Sequence, residues 1–313
     1  MRVDGAYRSK YWGRRSRDVL RNNFPRASVG QRQQMNKGTK RSAHADLFGS
    51  RELARQTRCV VIVAHPDDDV VGAGGLISRL NDVTVLHVTD GVFKNDSASK
   101  TGAVKESASA RALRLESRTA LALANVPSEQ IVEFGLSTEQ APFELAELAR
   151  RIASFLRQSA PDVVLTNPYE GGDPDHDATA FATHAALRLL RQSGFESPSV
   201  FEIAMYPTAD GNERVLDFLP SEAAEITTLL LDKKARDVKR QMFACFTSQP
   251  NLHRENSFGR ERFRRPPRYN FAAPPNGGKF NYEKVAAGVD CVAWQELARA
   301  AWSELFPDDQ KFH

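Results

Sequence analysis

Hydrophobic and polar positions fall along this chain in two kinds of block. Some are short unbroken apolar runs; others are longer stretches with apolar residues three and four apart. The first run, Cys59-Val60-Val61-Ile62-Val63-Ala64, is rich in β-branched residues and does not alternate, which predicts a strand buried on both faces. It breaks at His65-Pro66-Asp67-Asp68-Asp69, and Val70 to Leu80 then follows a helical pattern opened by Gly72, Gly74 and Gly75. Val83 to Thr89 reads as a second strand ending at Asp90-Gly91, and a polar loop from Phe93 to about Glu106 is long enough to be a lid. A helix is predicted over Arg111 to Asn125, with Leu115, Thr119, Leu121 and Leu123 supplying much of its apolar content, then a short strand over Glu129 to Gly135. Phe143 to Gln158 is strongly amphipathic, with Leu145, Leu148, Ile152, Phe155 and Leu156 at helical spacing.

Pro161 to Thr166 is another buried strand, followed by a polar loop from Asn167 to Asp177 and a helix over 178–190. Val200 to Tyr206 reads as a strand, Asp232 to Phe246 as a basic helix, and Trp294 to Leu305 as the last helix. Alternating strands and helices predict an α/β fold: a Rossmann-like, mostly parallel sheet in an α/β/α sandwich, with a C-terminal extension. The expected organisation is a leader over 1–55, an α/β domain over 56–250 and the extension over 251–313.

Composition changes little for the body and much for the leader. With 41% hydrophobic and 26% charged residues in 313, the chain has ordinary soluble composition. No apolar run approaches 18 residues and the N-terminus has no apolar signal core, so neither a membrane span nor secretion is expected. Cys59, Cys245 and Cys291 are widely spaced and odd in number, which predicts free thiols in a reducing compartment, the cytoplasm. The first fifty residues hold twelve Lys and Arg against three acids, so the basic excess belongs to the leader and the body is mildly acidic. The leader reads as a solvated, disordered arm, and no nucleic-acid partner is expected for the body.

Chemistry concentrates at the polar ends of three strands: His65 to Asp69, Thr89-Asp90-Gly91, and Gly171-Gly172-Asp173-Pro174-Asp175-His176-Asp177. In open α/β sheets, ligands bind outside the carboxyl ends of the strands. Adjacent carboxylates at a buried strand end repel unless a cation or hydrogen bonds compensate, and His with Asp suits Zn²⁺ or a similar divalent ion. His65, Asp68 and His176 form the economical ligand set. The glycines of the 72–75 stretch follow five polar residues and lie inside a helix, so they read as packing positions rather than a dinucleotide loop.

Ala64-His65-Pro66-Asp67-Asp68-Asp69 resembles the opening motif of the LmbE/PIG-L family of zinc-dependent N-deacetylases. Val88-Thr89-Asp90-Gly91, Glu116, Pro161-Asp162-Val163-Val164, the stretch Tyr169 to Ala178, Ser248-Gln249, Glu261 to Arg264, Arg268 to Phe271 and Tyr282-Glu283 follow in the family's order. The resemblance implies a metal-activated water that removes an N-acetyl group from an amino-sugar or glycoconjugate. It implies His65, Asp68 and His176 as ligands to Zn²⁺, with Fe²⁺ as an alternative, and Asp67 as general base. Asp90 would lie near sugar hydroxyls, and Asp175 would orient a ligand.

Two positions depart from the pattern. Asp173 stands where the family has a histidine assisting the tetrahedral intermediate; it is expected to act as a catalytic acid or as an additional ligand. Leu113 stands where members carry a substrate-facing arginine, and Arg111 or Arg114 is the candidate replacement. An amidase acting on a non-sugar amide, or a member that binds a glycan or protein without turnover, remain as alternatives. His87 and His184 read as packed histidines, His253 and Arg254 as cleft-lining candidates, and Arg262 to Arg268 as a strap packed on the domain.

Overall fold

The computed structural model describes residues 45–49, 51–92, 107–210, 213–219, 225–249, 258–275, 280 and 289–309. The basic leader up to residue 44, the expected lid over 93–106, His253, Arg254 and Tyr282-Glu283 lie outside the described residues.

The body is a seven-stranded mixed sheet with helices on it. In chain order the elements are α1 (Arg51–Gln56), β1 (Arg58–Val63), α2 (Asp68–Ile77), β2 (Asp82–Thr89), α3 (Ala108–Leu123), β3 (Ile131–Leu136), α4 (Leu145–Ser159), β4 (Val163–Thr166) and α5 (Pro174–Gln192). There follow β5 (Ser199–Ile203), β6 (Tyr206–Asp210), β7 (Glu213–Asp217), β8 (Ile226–Leu230), α6 (Lys233–Ala244), β9 (Arg260–Arg264) and α7 (Cys291–Leu305). The sheet order is β3-β2-β1-β4-β5-β9-β8, and β6 pairs with β7 in a separate hairpin.

Strands β3, β2, β1, β4 and β5 are parallel, as their apolar runs predict: β1 from Cys59 onward and all of β4 are buried. The order reverses between β1 and β4, so this is the crevice where a doubly wound sheet binds ligands. Glycines let α2 press onto the sheet: a Cβ on Gly72 would lie 2.1 Å from Ile203 Cγ2, and one on Gly75 2.3 Å from Leu231 Cδ1.

Several expectations are revised. Helix α5 starts at Pro174 rather than 178, because Asp173 caps it by accepting from the N–H groups of Asp175 and His176, with Pro174 in the first turn. On α3 the buried face is Ala110, Leu113, Ser117, Ala120 and Leu121, while Leu115 and Leu123 are exposed. The expected strap over 262–268 begins inside the sheet, since β9 lies antiparallel between β5 and β8. An interior strand reading Arg-Glu-Arg-Phe-Arg has no hydrophobic signature because its charges are buried in pairs. Glu261 meets Lys239 at 2.6 Å, and Arg264 binds Glu202 at 2.7 Å and Glu170 at 2.9 Å. Strand β9, from the expected extension, thus belongs to the same sheet as the strands of the α/β domain. No helix among the described residues is long and apolar enough to cross a membrane, and all three cysteines are free.

Candidate metal centre

The turn after β1 and the first turn of α5 bring His65, Asp68 and His176 together at the switch point. His176 Nε2 lies 3.3 Å from His65 Nδ1 and 3.2 Å from Asp68 Oδ2, and His65 Nδ1 lies 3.7 Å from the same oxygen. Tetrahedral ligands at the usual zinc bond lengths of about 2.0–2.1 Å stand about 3.4 Å apart, so the three atoms have the spacing one ion requires. Asp68 and His176 are 5% and 8% exposed, which excludes most competing water. Asp173 joins the cluster: an oxygen of its carboxylate, a nitrogen of His65 and a nitrogen of His176 all lie within 4.8 Å of one another.

Neighbouring residues set the orientation of each group. Asn167, at the end of β4, accepts from Ala64 N–H at 2.8 Å and donates to Asp68 Oδ2 at 3.3 Å. Asp68 Oδ2 also accepts from the His65 N–H at 3.0 Å. On the far edge of the His65 ring, Nε2 faces Asp175 Oδ2 at 3.5 Å, and Asp175 is itself fixed by the N–H groups of Glu139 and Ala141. A ligating histidine backed by a carboxylate is the usual arrangement around a bound metal. Asp177 accepts from Glu170 and Gly171 N–H and shapes the preceding loop. Beneath the cluster, buried Asp69 and His87 approach to 3.6 Å, so His87 faces a carboxylate rather than a purely apolar core.

Electrostatics follow from this crowding. Burial pulls the His176 imidazole down, but Asp68 and Asp173 outweigh it and hold its pKa up at about 9. The same competition, with Asp173, Asp175 and Asp68 as partners, keeps His65 well above its ordinary value. Burial disfavours ionised Asp68, yet the two histidines hold it well below the carboxylate range. Asp67 is pushed up to about 6 by burial and by the charge of Asp68, and its side chain caps no N–H of α2. Such a concentration of negative charge around two imidazoles is the environment a divalent cation neutralises.

The other sequence candidates divide. Asp90 Oδ1 accepts from Val92 N–H and Thr138 N–H, which ties the end of β2 to the loop after β3. Arg114 pairs with Glu133 of β3 at 2.9 Å on a 41% exposed side chain, which engages it outside the cluster. Leu113 is buried and lies against Gly91, where a Cβ would stand 2.8 Å from its Cδ2. Glu116 receives Thr247 and Ser248 hydroxyls and Ser248 N–H, tying α3 to the chain after α6. Asn167 was absent from the sequence candidates; its only signal was a polar residue ending a buried strand.

Residues 60–187 match the family description "PIG-L: GlcNAc-PI de-N-acetylase". This segment is similar to the domain that this family model describes. The chain is 31% identical over 172 residues to a diacetylchitobiose deacetylase of Thermococcus kodakarensis, an alignment covering 50% of this chain and 61% of that relative. The chain thus spans about three fifths of the length of the curated relative it matches. Among solved structures, a deacetylase–teicoplanin complex gives a TM-score of 0.48 at 16% identity, covering 66% of this chain and 97% of that one. An N,N′-diacetylchitobiose deacetylase from Pyrococcus horikoshii gives 0.41 at 20% identity, covering 67% and 83%.

Proposed function

We propose that this chain carries a PIG-L-type domain and is a metal-dependent N-deacetylase that hydrolyses an N-acetyl group on an amino-sugar or glycoconjugate. The observation that carries the reading is the cluster of His65 Nδ1, Asp68 Oδ2 and His176 Nε2, 3.2–3.7 Å apart, with Asp67 beside it at the sheet's switch point. The related deacetylase supports the acetyl amino-sugar as substrate class. These three residues would hold a divalent ion, Zn²⁺ or Fe²⁺, which when bound supplies a Lewis acid that polarises the amide carbonyl and acidifies water.

The chain's own groups do the rest. Asp67 takes the proton from the attacking water as its oxygen bonds to the carbonyl carbon, then returns it to the nitrogen as the C–N bond breaks. Acetate and the free amine leave. Asp175 and Asn167 keep His65 and Asp68 in register, and Asp173 fixes the start of α5 while standing at the edge of the ligand set. In this reading Asp90 stands near the sugar hydroxyls, and Arg114 has no part. The three unpaired cysteines support a reducing compartment, the cytoplasm.

The test is elemental analysis of the purified chain together with acetate release from N,N′-diacetylchitobiose and N-acetylglucosamine. The expected result is close to one divalent ion per chain, lost in His176→Ala, and acetate release only from the loaded protein. Protein that takes up no ion on reconstitution, or loaded protein that frees no acetate, overturns the reading.

A further inference from the structure

Amide hydrolysis places negative charge on the former carbonyl oxygen, and enzymes stabilise that charge with a pre-positioned hydrogen-bond donor. Asp173 is engaged the other way: its Oδ1 accepts from the N–H groups of Asp175, at 2.8 Å, and His176, at 3.2 Å. It works there as an acceptor.

Tyr206, the first residue of β6, reaches across to the same loop. Its ring lies on Gly172, the residue before Asp173: a Cβ on Gly172 would stand 1.5 Å from the phenol oxygen and 1.9 Å from Cζ. Only glycine leaves room for it. The Tyr206 hydroxyl is buried and has no hydrogen-bond partner among the described residues, although the carboxylates of Asp177, Glu170, Asp173 and Asp68 act on it. Burial first, then the charges of Asp177, Glu170, Asp173 and Asp68, hold its pKa well above the ordinary phenol value. The group therefore keeps its proton.

A buried hydroxyl without a partner costs about 1–3 kcal/mol, so it calls for an explanation, and a catalytic role is one. The strand that carries it pairs with β7, which is anchored in turn. Tyr206 is the register partner of Asp217, which pairs with Arg262 of β9, and the Leu219 N–H just beyond donates to Glu170 Oε1 at 3.0 Å. The ring is positioned by its packing on Gly172.

We propose that Tyr206 is a catalytic hydrogen-bond donor of this centre, its hydroxyl bonding to the substrate's amide oxygen as that atom becomes the tetrahedral oxyanion. The proton stays on the phenol throughout. This rests on the deacetylase reading and adds a residue to it.

The test is Tyr206→Phe in the full, zinc-loaded chain, with N,N′-diacetylchitobiose as probe. The expected result is a kcat lower by about 10²–10³, the usual cost of removing one oxyanion donor, with KM changed less than about threefold. Zinc content should be unchanged, and the melting temperature unchanged or higher, because the variant removes an unsatisfied buried hydroxyl. A merely structural tyrosine would give a lower melting temperature instead. An unchanged kcat overturns the assignment, and so does a loss confined to KM, which would make the hydroxyl a uniform binding contact. A wild-type chain that holds zinc and frees no acetate overturns the deacetylase reading and this assignment together; an active wild type with an equally active variant overturns this one alone.

Discussion

Lys239 and Glu261 meet at 2.6 Å with both side chains 1% exposed, and they meet against the backbone of α2. Lys239 Nζ donates to the Val71 carbonyl at 2.9 Å, while the two Glu261 oxygens accept from the N–H groups of Gly75 and Leu76 at 2.7 and 2.8 Å. The ion pair thus clamps the helix whose first turn carries Asp68, and Gly75 is what lets it come so close. Lys239→Met leaves a buried carboxylate unpaired and should cost about 3–5 kcal/mol, read as a lower urea midpoint at unchanged slope. A fall below about 1 kcal/mol would show that the pair contributes little.

Gly72→Ala tests the same contact from the sheet side. Its Cβ would stand 2.1 Å from Ile203 Cγ2 in the fully buried layer between α2 and β5, so helix or strand must move. Overpacking of this kind costs about 1–3 kcal/mol, measurable by denaturant titration. Unaltered stability would mean that the layer is loose.

Asp67 and Asn167 separate proton transfer from metal binding. Asp67→Asn should keep the ion and lose about 10²–10⁴ in kcat, the range for one general base. Asn167→Ala should instead weaken the ion about 10–100-fold, because Asp68 loses the donor that orients it. Competition with a chelator indicator reads the second, and acetate release at saturating metal reads the first. The two effects exchanged would reverse the assignments.

His184 makes the fold acid-sensitive. Burial first, then Arg191, lowers its pKa to about 4, and its ring packs on Tyr269 and Phe271. The folded chain binds the proton more weakly than the unfolded one, so this stability is complete above about pH 6.5 and is lost as pH falls towards 4. The full effect is at most about 3 kcal/mol. Melting temperatures between pH 7 and 4 should fall less steeply in His184→Leu than in the parent; parallel curves would contradict the shift.

The parallel half of this fold is legible in the sequence. Cys59–Ala64, Val83–Thr89 and Pro161–Thr166 are apolar runs long enough to be strands and too short to be helices, and being buried on both faces leaves them one role. The strand ends carry His65, Asp68 and His176 in sequence order, and that these side chains meet is readable because the pairing of β1 with β4 makes their ends neighbours.

Only the tertiary structure decided the rest. Strand β9 is buried through Lys239, Glu202 and Glu170, residues from other elements, so no local pattern can announce it. Asn167 matters because β4 sets it against Ala64 and Asp68, and Arg114 goes to Glu133 because α3 turns that way. Tyr206 meets Gly172, in the loop before α5, because β6 and β7 form a hairpin that sets its ring there. Hydrophobic periodicity records which face of an element avoids water. It does not record which charged or hydroxyl group meets another across the fold, because that depends on the distances that packing sets.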